Sequence, residues 1–147
     1  MNNGLPRNLT GATAERLPLN HGFKAVQIGV SAWTAEALKQ TLSASIFSRS
    51  TECHNQDKVS MGTIAARDAS RVIVLTEQVI AALCCASVQA IYLKALDSQL
   101  SEVLGTFKAW VLQTFDYVIE DRPLQHELQQ LVDRLENLEL LSTELIR

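Results

Sequence analysis

Apolar residues recur along most of this chain at steps of three and four, the spacing that lines side chains along one face of an α-helix. From about Leu19 to Ser45, the residues Phe23, Val26, Val30, Trp33, Ala37, Leu38 and Leu42 keep that rhythm and predict a first long helix over 19–45. Residues 46–59 break it with Ser, Thr, Asn and Asp, whose side chains compete for backbone hydrogen bonds and favour loops. A second helix is expected over 60–96, with Ser60 as its N-cap. Ser98 is the expected cap of a third, over 98–119, whose apolar face holds Val103, Phe107, Val111, Phe115 and Val118. Pro123 is expected in the first turn of a fourth, over 123–147, where a missing N–H leaves no helical bond unmade. Its leucines at 124, 128, 131, 135, 138, 141 and 145 form a heptad-like stripe of the kind that packs on a partner helix. Residues 1–18, punctuated by Gly4, Pro6, Gly11 and Pro18, are expected to be looped or extended.

The pattern therefore predicts an all-α fold, a long-helix bundle in which residues 1–147 make one helical region. Its second helix poses a packing problem. Val72–Leu75 and Val79–Ala86 are apolar on every side, and a helix of about 35 residues, roughly 52 Å long, needs neighbours all round. Two or three helices from this chain are too few, so burial in an oligomer or against another part of the protein is expected. The run Gln78–Leu93 has no charge over 16 residues but contains Gln78, Ser87 and Gln89. It falls short of the roughly 20 apolar residues that cross a bilayer, so a buried helix and no membrane partner are expected.

Composition narrows the classes of function. The 147 residues suit one domain with one core, and a chain 47% hydrophobic but only 5% aromatic favours helix packing over a β-sandwich. A net charge of −3 without a basic cluster leaves no electrostatic footprint for nucleic acid. Three cysteines, two of them adjacent at Cys84 and Cys85, make no disulfide framework, and the N-terminus has no apolar signal core. A cytoplasmic location is expected.

Candidate chemistry concentrates in the connector at 46–59, where Glu52, Cys53, His54, Asn55, Gln56, Asp57 and Lys58 stand between two apolar helical segments. Read from the residues alone, this is a solvated loop, and Lys24 is a lysine whose stem lies on an apolar face with its ammonium in water. Cys53 and His54 lack a second ligand pair at metal spacing and a third orienting group, so neither a zinc site nor a thiol nucleophile is expected. His21 reads as part of the N-terminal segment, His126 as a helix-surface residue, and Trp33 and Trp110 as core.

Four islands change the picture. Asn3-Gly4-Leu5-Pro6, Gly22-Phe23-Lys24, the Glu52 to Asp57 run ending in Ser60-Met61-Gly62, and Asp121-Arg122-Pro123 occur in this order. Together they resemble the aromatic amino-acid ammonia-lyase and aminomutase family, and the chain is similar to the C-terminal portion of such a lyase. The resemblance implies that Glu52 lies near the substrate amine, that Asn55 contributes to binding, that Gln56 sits near the substrate ring, and that Lys24 lines the same pocket. Lys24 close to Glu52 is then expected to hold that carboxylate ionised. Histidine lyases carry a glutamate at the Gln56 position and a methionine-like residue at the Lys24 position, so the resemblance points to the phenylalanine and tyrosine enzymes. Cys53 and Lys58 depart from the family's usual residues.

The family's electrophile is a methylidene-imidazolone made from an Ala-Ser-Gly tripeptide, and no Ala-Ser-Gly occurs in these 147 residues. No cofactor is therefore expected from this chain. Tyr92 and Tyr117 read as helical and match no lid tyrosine that could serve as the family's base. The resemblance also implies tetramers around a long helix bundle, with each site built from three chains. The expected partners are an aromatic amino acid, a chain carrying the N-terminal lyase part, and further copies of this chain. Two readings follow: a C-terminal part or split subunit, inactive alone, that eliminates ammonia once completed, and a non-catalytic helical interaction protein derived from a lyase. A chain starting with Met just before Asn-Gly-Leu-Pro fits a separate reading frame or a truncation.

Overall fold

The computed structural model describes residues 4–55 and 58–137, and among these four α-helices carry the chain with no strand. They are α1 (Lys24–Lys39), α2 (Gly62–Leu93), α3 (Glu102–Val111) and α4 (Gln125–Glu136), joined by short 3₁₀ turns. Helix α2 is the spine, with α1 and α4 as its main neighbours and with α3 and the turns at Arg7–Leu9 and Ala44–Phe47 also touching it.

Local chemistry makes every helix shorter than its apolar rhythm. At the start of α1, Gly22 adopts φ 51°, and a Cβ there would stand 2.5 Å from the Asn8 carbonyl oxygen, so only glycine allows the turn. Met61 takes a left-handed conformation as the N-cap of α2, so Gly62 rather than Ser60 opens that helix. Past its end, the Ala95 N–H donates to the Tyr92 carbonyl and the Leu96 N–H to that of Ile91, with Ala95 left-handed. This pair of bonds is a Schellman closure that satisfies two terminal carbonyls. Ser101, not Ser98, caps α3, its Oγ accepting from the Leu104 N–H at 3.4 Å. Helix α4 begins at Gln125, with Pro123 outside it.

The expected third helix stops at Val111, where residues 112–114 turn and 115–118 follow without regular structure. Phe115 and Val118 are nevertheless buried, as the apolar stripe requires, since this segment lies against the N-terminal one. The Gly11 N–H donates to the Val118 carbonyl at 2.9 Å, and the Thr10 hydroxyl to the Ile119 carbonyl at 3.0 Å. Gln89 of α2, fully buried, locks the pair. Its Nε2 donates to the carbonyls of Leu9 and Val118 at 2.9 and 2.8 Å, and its Oε1 accepts from the Val118 N–H at 3.0 Å. Around this joint the core gathers Phe23, Ala81, Cys85, Val88, Trp110, Val111, Phe115, Val118, Leu131 and Val132. Phe23 and Phe115 meet edge to face with ring centroids 6.2 Å apart.

The other side of the helical pair is open. No residue of α1 is buried, and Ile28, Leu38, Leu42, Ile73, Ile80 and Leu83 are exposed on α1, on α2 and at the turn between them. The continuous 32-residue α2 is also long and apolar enough, by length and composition, to cross a membrane, correcting the shorter count taken from Gln78–Leu93 alone. Only 39% of its most apolar 18-residue window is buried within this chain. The leucines at 138, 141 and 145 of the expected fourth helix lie outside the described residues.

Candidate functional site

Two parts of the chain carry the sequence-derived site residues. The first is the start of α1. Here the islands Gly22-Phe23-Lys24 and Asp121-Arg122-Pro123, separated by almost the whole chain, come together. The Asp121 carboxylate accepts from the backbone N–H groups of His21 and Gly22, both at 2.7 Å. These bonds hold its carboxyl below the usual carboxylate range. The Asn20 Oδ1 accepts from the Asp121 N–H at 2.6 Å, while its Nδ2 donates to Glu120 at 3.0 Å and to the Arg16 carbonyl at 3.0 Å. Arg16 and Asn20 together hold the Glu120 carboxyl down at about 2, the Arg16 hydrogen bond being the larger cause.

Within that clasp Phe23 is anchored in the core, and its N–H donates to the Asn8 carbonyl at 2.8 Å. Lys24, the next residue, faces solvent over a cleft of 290 Å³ whose other walls are Leu5, Pro6, Asn8, Leu9, Phe23 and Gln27. Leu5 and Pro6 belong to a third island, so the Lys24 cleft brings together two motifs that the sequence shows only as separate.

The second part is the connector. Glu52, Cys53 and His54 form one 3₁₀ turn, closed by the Asn55 N–H on the Glu52 carbonyl at 2.8 Å. Cys53 and His54 both take left-handed φ, at 49° and 58°, unusual for two consecutive residues that are not glycine. The Ser48 hydroxyl accepts from the Val59 N–H at 2.8 Å, drawing the loop's ends together, and Ser50 Oγ lies 2.9 Å from His54 Nδ1. Glu52 and Asn55 are exposed.

The expected ion pair between Lys24 and Glu52 is not formed. The ion pairs of the described residues join Arg16 to Glu120, Arg71 to Glu36, Lys108 to Asp97 and Arg122 to Glu127. Both Lys24 and Glu52 are exposed, and neither has an opposite charge within bonding range among the described residues. Gln56 and Asp57 lie outside the described residues. Tyr117 lies outside any helix, and its ring stacks on that of Tyr92 with centroids 4.1 Å apart. Burial pushes the Cys85 thiol up to about 12 and raises Cys84 as well, which leaves exposed Cys53 as the accessible thiol of the three.

A sequence model of the family described as Aromatic amino acid lyase matches residues 1–113, well over half of the chain. The chain belongs to the aromatic amino acid lyase family. It is 37% identical over 138 residues to the tyrosine ammonia-lyase of Cereibacter sphaeroides, covering 92% of this chain and 25% of that enzyme. It is 32% identical over 133 residues to histidine ammonia-lyase 1 of Fusobacterium nucleatum, covering 90% of this chain and 25% of the relative. Among solved structures, tyrosine aminomutase from Streptomyces globisporus superimposes with a TM-score of 0.85 at 29% identity, covering 95% of this chain and 26% of the other. Histidine ammonia-lyase from Trypanosoma cruzi gives 0.81 at 26% identity with the same coverage. The chain thus spans about a quarter of the length of the lyases it matches. Its all-α architecture is that of the lyase and aminomutase fold.

Within this lyase unit, sequence reasoning missed the residues that hold the two ends of the chain together. Gln89, one of two amides in an apolar helix, was the available signal, since a buried polar group needs partners. Asp121 was visible as part of an island, though not as the acceptor for the turn before Lys24.

Proposed function

We propose that this chain is the C-terminal part or a split subunit of a methylidene-imidazolone-dependent aromatic amino-acid ammonia-lyase of the phenylalanine and tyrosine type. In this reading it contributes to the elimination of ammonia that leaves an α,β-unsaturated aromatic acid. The observation that carries it is the outward display of Lys24, Glu52 and Asn55 on a lyase-family unit whose α1–α2 face is apolar and open. Such a surface is half of an interface, and such residues are half of a pocket. Lys24 and Gln56, in place of the methionine-like residue and glutamate of histidine lyases, favour a benzenoid ring over imidazole.

The division of labour follows from side-chain chemistry. Glu52 pairs with the substrate ammonium or takes its proton, leaving a nitrogen lone pair for attack. Asn55 offers an amide donor and acceptor to orient the amino acid, and Gln56 stands near the ring. The methylidene-imidazolone, where present, supplies the electrophile that captures the substrate. These 147 residues lack the Ala-Ser-Gly from which that group forms, so in this reading the electrophile and the base come from outside them. Further copies of this chain on the open α1–α2 face complete the assembly, which is placed in the cytoplasm without a membrane or nucleic-acid partner. The isolated chain is expected to be inactive.

The test uses the complex recovered from the native host, with release of cinnamate or coumarate followed by ultraviolet absorbance. Glu52→Ala is expected to lower turnover on the order of 100-fold or more, as expected for losing a positioned proton acceptor. Glu102→Ala, at the exposed first turn of α3, is expected to leave turnover near wild type. Equal effects from the two substitutions contradict the role given to Glu52. A complex without turnover in any form favours the non-catalytic interaction protein.

A further inference from the structure

We infer that Asp121 is a positioning residue for Lys24, setting from the far end of the sequence the turn from which that side chain leaves the fold. The inference rests on the proposed role of Lys24 in the substrate pocket, but its geometry stands on this chain alone. The Asp121 carboxylate spends one oxygen on the His21 N–H and the other on the Gly22 N–H, each at 2.7 Å. These are the last two backbone donors before the Phe23 N-cap, at the electropositive end of α1, where a carboxylate is favoured. The His21 carbonyl in turn accepts from the Lys24 N–H at 3.0 Å, so the residue clamped by Asp121 also holds the backbone of Lys24.

The turn has little freedom elsewhere. Gly22 is left-handed against the Asn8 carbonyl, and Phe23 is fixed in the core against Phe115. Asp121 is itself held by the Asn20 Oδ1 on its N–H. With Phe23 pointing inward and its backbone pinned on both sides, Lys24 has one direction in which to project. Removing the carboxylate frees the two amides and lets the first turn of α1 rotate or fray, while the core beneath keeps its own contacts. Displacement of a binding group by about 1 Å is enough to cost on the order of 100-fold in a preorganised site.

The experiment compares Asp121→Ala and Asp121→Glu in the full chain and in the host complex. In the full chain, amide hydrogen exchange at residues 21–27 is expected to accelerate in Asp121→Ala, with protection in α2 and α4 unchanged. In the complex, Asp121→Ala is expected to raise KM about 10-fold or more with a smaller change in kcat. Asp121→Glu, which keeps the charge on a longer arm, is expected to recover part of the loss. The double variant Lys24→Met with Asp121→Ala is expected to be no worse in KM than Lys24→Met alone. Unchanged exchange at residues 21–27 overturns the inference, as does a KM that stays at the wild-type value when exchange there accelerates. If the wild-type complex has no lyase turnover, the functional reading of the chain fails and not the clasp. The exchange comparison then decides the geometric inference by itself.

Discussion

Gln89 is the residue on which three separate stretches of this chain depend. Its side-chain amide makes three bonds to the backbone of Leu9 and Val118, both far from it in sequence. Replacing it with Leu keeps the volume and removes all of these bonds, leaving the Leu9 carbonyl and the Val118 N–H without this partner. Each such group costs about 1–3 kcal/mol, so Gln89→Leu is expected to destabilise the chain by about 3 kcal/mol. Urea unfolding should show the midpoint fall with little change in slope, and a loss under about 1 kcal/mol would contradict the account of this joint. The sequence held the clue in an amide within an uncharged run. What it did not hold was the identity of the partners, because backbone groups of a looped segment leave no mark on residue type. The converse applies to Lys24 and Glu52. Their types were legible through motif resemblance, whereas their lack of an ion pair within one chain could be known only from coordinates.

At the scale of elements, apolar rhythm located all four helices and overran every one of them. At 115–118 the reason is that a residue can be buried at helical spacing without being helical, when an irregular segment packs on the same core. Turn chemistry sets the boundaries, and left-handed Met61 and Ala95 carry no glycine-like signal of their own. The clasp between the N-terminal segment and residues 120–121 is electrostatic, and its response to pH has a definite sign. The Glu120 and Asp121 carboxyls are both held below their ordinary values in the folded chain, Glu120 at about 2. Their contribution is therefore complete above the unfolded values, about 4, and is lost as pH falls below them, for Glu120 toward about 2. Amide spectra recorded across this range should show His21 and Gly22 shifting together within that window. A transition centred near pH 6 would contradict the assignment, because it would report a histidine and not these carboxylates.

At the scale of the whole molecule, the features fit a part better than a finished protein. A family unit about a quarter the length of its lyase relatives exposes isoleucines and leucines along its longest helices and leaves Lys24, Glu52 and Asn55 exposed. Its core is nonetheless well formed, with Leu75, Val88, Val111, Phe115, Val118 and Leu131 shielded from solvent. The unit is thus organised on one side and open on the other. The all-α fold was legible from periodicity, and the need for outside cover followed from a helix apolar all round. The measurement that tests the central claim most directly is the native mass of a tagged copy recovered from its own host, with every co-purifying chain identified. The account predicts a large complex containing a second polypeptide that carries Ala-Ser-Gly. Recovery of this chain alone, as a small oligomer, would contradict it.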